Sequence, residues 1–211
     1  MSVVLHHLEY SRSTRIIWLL EEMGTPYEMV RYARDPVTFR APPELKEIHP
    51  LSKAPTLVID DHVMVESGAI IEYLIERFGS DTFAPANAKD RPAYLEWLHF
   101  VEGTMAMPVI LNALGPRFGG LGDMLGGFIG AEVVKLLNHA DACVRGREFL
   151  IGDRLSGADI NMGYLLEVAD ASKLLESRPA LAAYLQRLRD RPAYAKSIEL
   201  GGPMIFSAMG G

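Results

Sequence analysis

LSKAPTLVIDDHVMVESGAIIEYL, residues 51–74, puts a proline turn, two short strands and a helix start into one run. Thr56 to Ile59 is rich in β-branched residues and reads as a strand, Asp60-Asp61 as the turn, and Val63 to Val65 as the returning strand. Ser67 stands at the N-cap position of a helix whose apolar spacing runs Ile70, Ile71, Leu74, Ile75, Phe78. A fixed turn, a strand edge and an acidic-plus-hydroxyl pair, Glu66-Ser67, at a helix start together suit a small peptide held by its backbone and its charged end.

Working toward the amino terminus, Val3 to Leu8 is strand-like, and Ser13 to Met23 has helical spacing through Ile16, Ile17, Leu19 and Leu20, closed by Gly24 and Thr25-Pro26. Tyr27 to Tyr32 suits a second strand, and Pro42 to Ile48 a short helix behind two prolines. The order is βαβαββα over residues 1–80, which predicts a small mixed sheet covered by helices.

Toward the carboxyl terminus, GSDTFAPANAKD, about residues 79–90, has the composition of a linker. Residues 91–211 show no convincing period-two stretch, while Tyr94–Val101, Ala131–Cys143, Asp159–Ala169 and Pro179–Arg187 have helical spacing, so this second domain is predicted to be all-α. Ser156-Gly157-Ala158-Asp159 fits a capping box in its Asp form. The glycine-rich run 115–130 has neither the preceding strand nor the GK[ST] ending of a phosphate loop, and reads as a broken helix connection.

The chain of 211 residues is 49% hydrophobic, enough for a substantial core. Its net charge of -6, with no Lys/Arg block, points away from nucleic acid and from an anionic membrane surface. Without a long apolar window or a basic amino-terminal start, the chain reads as cytoplasmic. The single cysteine, Cys143, excludes an intrachain disulfide and lies in a helical pattern that predicts a buried structural thiol. His6, His7, His49, His62, His99 and His139 lack the spacing of a metal site, and none is expected.

These features together resemble the cytosolic glutathione S-transferase family along essentially the whole chain: KAPTL with its proline, VESGAIIEYL, and the LSGADI capping box occur in the family's order and spacing. HHLEYSRSTRIIWLLEE looks closest to bacterial and fungal members with a serine-type site. The resemblance implies a thioredoxin-like α/β domain followed by an all-helical domain, a homodimer, and glutathione as co-substrate with no prosthetic group. The activity implied is conjugation of the glutathione thiolate to small hydrophobic electrophiles, with glutathione-dependent peroxidase activity from the same site. The alternatives are a non-catalytic interaction module and a glutathione-dependent isomerase or lyase.

The resemblance also distributes the site. Pro55 corresponds to a cis proline that turns Ala54 outward to bond the cysteinyl unit. Glu66 and Ser67 take the γ-glutamyl end, and Lys53, with His49 as a second candidate, takes the glycyl carboxylate. Thiols have pKa values of roughly 8.5, so reactivity near neutral pH needs about 1.4–3 kcal/mol of thiolate stabilisation. Ser11 is the expected O–H donor to sulfur, with Ser13, Tyr10 and Arg12 as alternatives. The electrophile is expected against Met105, Met107, Pro108 and Phe118, with Met124 and Phe128 nearby, where the two domains face each other. The tail from Gly201 to Gly211, apolar through Pro203, Met204, Ile205 and Phe206, is the expected cover.

Overall fold

The computed structural model describes residues 2–205. It contains a thioredoxin-like unit and an all-helical unit, the α/β plus all-α architecture expected. The first unit has the strands β1 (Val3–Leu8), β2 (Glu28–Tyr32), β3 (Thr56–Ile59) and β4 (His62–Met64) in the order β2-β1-β3-β4. β1 runs parallel to β2 and antiparallel to β3, with Leu5 opposite both Met29 and Leu57. Leu5 and Leu57 are fully buried, so strand alternation aims these positions into one core layer.

The helices of this unit are α1 (Ser13–Met23), α2 (Glu44–Ile48) and α3 (Ser67–Leu74). α1 stops at Gly24, whose left-handed φ of 61° lets its N–H reach the Glu21 carbonyl while Thr25 N–H reaches that of Leu20. α3 does not end at Phe78. A π-helical turn over Ile75–Gly79 carries it into α4 (Ser80–Phe83), so the expected linker begins as helix.

The helical unit covers Asp81–Asp190. It holds α5 (Arg91–Phe100), α6 (Ala106–Leu114), α7 (Asp123–Val144), α8 (Gly157–Ala171) and α9 (Pro179–Arg189). The glycine-rich run is a broken connection: a 3-10 turn over Gly115–Phe118, then Gly119, Gly120 and Gly122 at positive φ. α8 is the buried centre, and its capping box forms as expected, with Ser156 N–H donating to Asp159 Oδ2 at 2.9 Å. The same fully buried carboxylate accepts Leu150 N–H at 2.8 Å and the Tyr184 hydroxyl at 2.6 Å on Oδ1. Burial pushes its pKa up against the pull of these donors.

Among the described residues, 191–205 belong with the first unit, whereas the helical spacing of 91–211 predicts one all-α domain. The cause is α10 (Pro192–Gly201), which packs on α1. Arg191 forms a two-pronged ion pair with Glu22 at 2.6 and 2.8 Å, and Tyr194 meets Trp18 edge-on at 5.0 Å between ring centres. With α10 on one side and β1 and α3 on others, Ile16 to Leu20 are entirely buried, which explains an α1 that is apolar nearly all round.

Candidate active site

Three loops meet at one end of the sheet. His6 lies opposite Thr56, so the segment entering β3, with Ala54 and Pro55, runs beside the carboxyl end of β1. Leu57 lies opposite Met64, which puts the β4–α3 junction, Val65 to Ser67, at that same end. Parallel and antiparallel pairing therefore bring Ser11, Ala54 and Glu66-Ser67 to one rim from distant parts of the sequence.

The Ala54–Pro55 peptide is cis, as the resemblance implied. Thr56 Oγ1 donates to the Lys53 carbonyl at 2.7 Å and fixes this turn, while the Lys53 side chain is exposed. His49 accepts Leu51 N–H on Nδ1 at 3.3 Å, which in the neutral ring leaves the proton on Nε2.

Ser67 is the first helical residue and not the N-cap. Glu66 holds the cap position, without a side-chain cap bond, at φ 73° and ψ 106°. That conformation is rare for a residue with a Cβ and costs on the order of 1–3 kcal/mol, a strain typical of ligand-gripping positions. Ser67 is buried, and no hydrogen bond joins its hydroxyl to another described residue. The first intrahelical bond is from Ile70 N–H to Glu66 O, so the amides of Ser67, Gly68 and Ala69 have no intrahelical partner and point at the rim.

The loop after β1 is locked in place. Tyr10 is at φ 50°, and Arg34 donates to the Glu9 carbonyl at 3.0 Å, the Tyr10 carbonyl at 3.0 Å and the Phe39 carbonyl at 2.9 Å. Arg12 is the N-cap of α1 and makes no side-chain cap bond. Ser11, 6% exposed, stands before the helix, accepts Ser13 N–H at 3.2 Å and lies 2.7 Å from both the Leu8 carbonyl and Ser13 Oγ. Ser13 Oγ is in turn 2.7 Å from His7 Nδ1, and His7 Nε2 donates to the Gly201 carbonyl at 2.8 Å. Burial holds the His7 pKa below its ordinary value, and the Arg31 charge lowers it further, against Gly201 and Glu9.

Other expected residues fall apart. Met105 and Pro108 are interior, in a π-helical turn and the first turn of α6, and their side chains are core. Met107 and Phe118 are exposed, as are Met124 and Phe128, and the last two line an apolar hollow of about 540 Å³ with Leu121 and Leu125. In the tail, Met204 is buried against Tyr194, while Gly202 and Pro203 line a cavity of about 350 Å³ with His7, Glu9 and Tyr10. Phe206 lies outside the described residues. Cys143 is half-exposed and not buried, with Sγ 3.7 Å from His139 Nε2. The residues missed from sequence are Arg34, His7 and Gly201. A histidine pair in a strand, with only one ring facing α1, was the available signal.

A thioredoxin-like sheet with a cis proline and an unspent helix start, joined in sequence to an all-helical unit, defines the class: two-unit proteins of thioredoxin-like plus helical architecture. Comparison makes this particular. The family model of the glutathione S-transferase N-terminal domain matches residues 2–76, and that of the C-terminal domain residues 131–192. The chain is 30% identical over 210 residues to glutathione S-transferase 3 of Schizosaccharomyces pombe, covering 90% of this chain and 84% of that one. A glutathione S-transferase from Actinobacillus pleuropneumoniae superimposes with a TM-score of 0.87 at 29% identity, covering 98% of this chain and 95% of that chain. A glutathione transferase family member from Pseudomonas fluorescens, solved with two glutathione bound, has a TM-score of 0.78 at 25% identity, covering 94% and 92%. The chain belongs to the glutathione S-transferase family.

Proposed function

We propose that this glutathione transferase binds reduced glutathione at the rim where the three loops meet and conjugates its thiolate to small hydrophobic electrophiles. The observation that carries the reading is Glu66-Ser67: a strained acidic cap, a hydroxyl with no partner among the described residues, and free helix amides at one point. A carboxylate for the ligand ammonium and an N–H cluster for its α-carboxylate match the γ-glutamyl end of the tripeptide. Ala54 supplies the strand-like backbone, and Lys53 with His49 Nε2–H meets the glycyl carboxylate. Ser11 donates its O–H to sulfur, with the start of α1 adding positive potential.

Among the described residues no helix is long and apolar enough to cross a membrane. The reading takes the enzyme to be a cytoplasmic homodimer. The test pairs a glutathione titration with turnover of a chloronitroaromatic and of a hydroperoxide. Ser11→Ala should raise the pKa of the bound thiol by about 1–2 units and leave glutathione affinity within about threefold. An unchanged thiol pKa would remove Ser11 from its role, and binding without any turnover would make the protein an interaction module.

A further inference from the structure

The hydroxyl of Ser11 is the outer end of a buried chain that continues through Ser13 Oγ to His7 Nδ1 and ends with His7 Nε2 on the Gly201 carbonyl. The carbonyl only accepts, so Nε2 carries a proton, and in the neutral ring Nδ1 is an acceptor. Ser13 then donates to Nδ1. The Ser11 hydroxyl has two acceptors at 2.7 Å, the Leu8 carbonyl and Ser13 Oγ, and when it turns to Ser13 both hydroxyl protons point inward along the chain.

We propose, resting on the glutathione reading of Ser11, that His7 takes the proton of the glutathione thiol by way of Ser11 and Ser13. The S–H bond breaks as a new O–H bond forms on Ser11, the former Ser11 proton passes to Ser13, and the former Ser13 proton passes to His7 Nδ1. Both serines end neutral with their hydroxyls reversed. The separated charges are a thiolate and an imidazolium, and every donor of the chain then points toward sulfur. When sulfur bonds to carbon, the Nδ1 proton returns to Ser13, the Ser13 proton to Ser11, and the Ser11 proton goes to the departing anion or to the carbanion of an addition product.

The surroundings suit a base of this kind. Gly201 ends α10, so the negative end of a helix faces the imidazole. From β2 come Arg31 and the Tyr32 phenol, from the end of β1 Glu9 and Tyr10, from α10 Glu199, and from α1 the Ser13 hydroxyl. Burial, with the Arg31 charge beside it, favours the neutral ring, and the Gly201 carbonyl and Glu9 offset part of the cost of charging it. A Cβ at Gly201 would stand 2.6 Å from Ile17 Cδ1 and 3.2 Å from His7 Cε1, so the approach of carbonyl to ring depends on a glycine there.

The test uses the full chain with reduced glutathione and with S-methylglutathione, which has no thiol proton. Nitrogen-15 NMR of His7 reads its protonation, thiolate absorbance reads ionisation, and calorimetry in buffers of different ionisation enthalpy counts protons released. With glutathione, thiolate forms with fewer protons released than thiolates made, and His7 becomes imidazolium. With S-methylglutathione His7 stays neutral. Ser13→Ala cuts the chain, so each thiolate then releases one proton to buffer and the bound thiol pKa rises by about one unit, a tenfold change in the ionisation equilibrium. His7→Asn gives the same result. A thiolate formed in the native protein with full proton release and a neutral His7 overturns the relay and leaves the glutathione reading standing. No thiolate at all overturns both.

Discussion

Arg34 Nη2 donates to the carbonyl of Tyr10 at 3.0 Å, across 24 positions of sequence. With its bonds to Glu9 and Phe39, and its guanidinium 4.9 Å from the centre of the Phe39 ring, it holds the loop that carries Ser11. The backbone on which Ser11 stands is thereby fixed by the chain's own groups.

Arg34→Lys keeps the charge and loses the fork. We expect kcat/KM for glutathione conjugation to fall by about tenfold, mostly in kcat, because a loosened loop misplaces the sulfur donor. Steady-state kinetics check this, and an unchanged kcat would show that the loop holds itself.

Glu66→Gln removes the charge and keeps the backbone strain, and should raise glutathione KM by roughly 10–100-fold, the value of a charge-assisted bond of about 1.5–3 kcal/mol. Glu66→Gly should raise KM as well while stabilising the fold by about 1 kcal/mol, since glycine accepts φ 73° without cost. Opposite signs for affinity and urea stability mark strain kept for binding. Loss of both would make Glu66 structural.

His6 and His7 are both held below the ordinary 6.5 by burial, and His6 Nδ1 is 2.8 Å from the Tyr32 hydroxyl. The unfolded chain takes up these protons first as pH falls. The contribution to stability is therefore complete above about pH 6.5 and is lost as pH falls toward the lowered native values. Urea midpoints measured across pH 5–8 should show a decline on the acid side, shallower in His6→Gln. Identical slopes would assign the decline to carboxylates.

Asp159→Ala leaves Leu150 N–H, Ser156 N–H and the Tyr184 hydroxyl buried without their acceptor. The cost should be about 3–5 kcal/mol, read as a melting temperature lower by about 10 °C, whereas Ser156→Ala should cost about 1 kcal/mol. A small effect at Asp159 would mean that solvent reaches the centre of α8.

Much of this was legible. Thr56 to Ile59, the Gly24 stop and the Ser156–Asp159 box are local devices whose signal lies within a few residues, and the Glu66-Ser67 pair stands out by its place before an apolar helix. What escaped depends on pairs distant in sequence. His7 meets Gly201 across 194 positions, and α10 carries no composition that distinguishes it from the helices before it. Its allegiance is set by Arg191 and Glu22 finding each other. Met105 and Met107 look alike in sequence, and helix phase alone turns the first inward and the second out.

The return of α10 to α1 has a consequence for synthesis. At roughly 5–20 residues per second, the strands and helices of the first 80 residues leave the ribosome long before Pro192–Gly201 exists. During that interval the face of α1 that receives Tyr194 is uncovered, and the acceptor of His7 Nε2 has not been made. The amino-terminal unit is therefore completed late, by α10, and a nascent or truncated product ending before Arg191 presents the apolar side of Trp18 to chaperones and proteases.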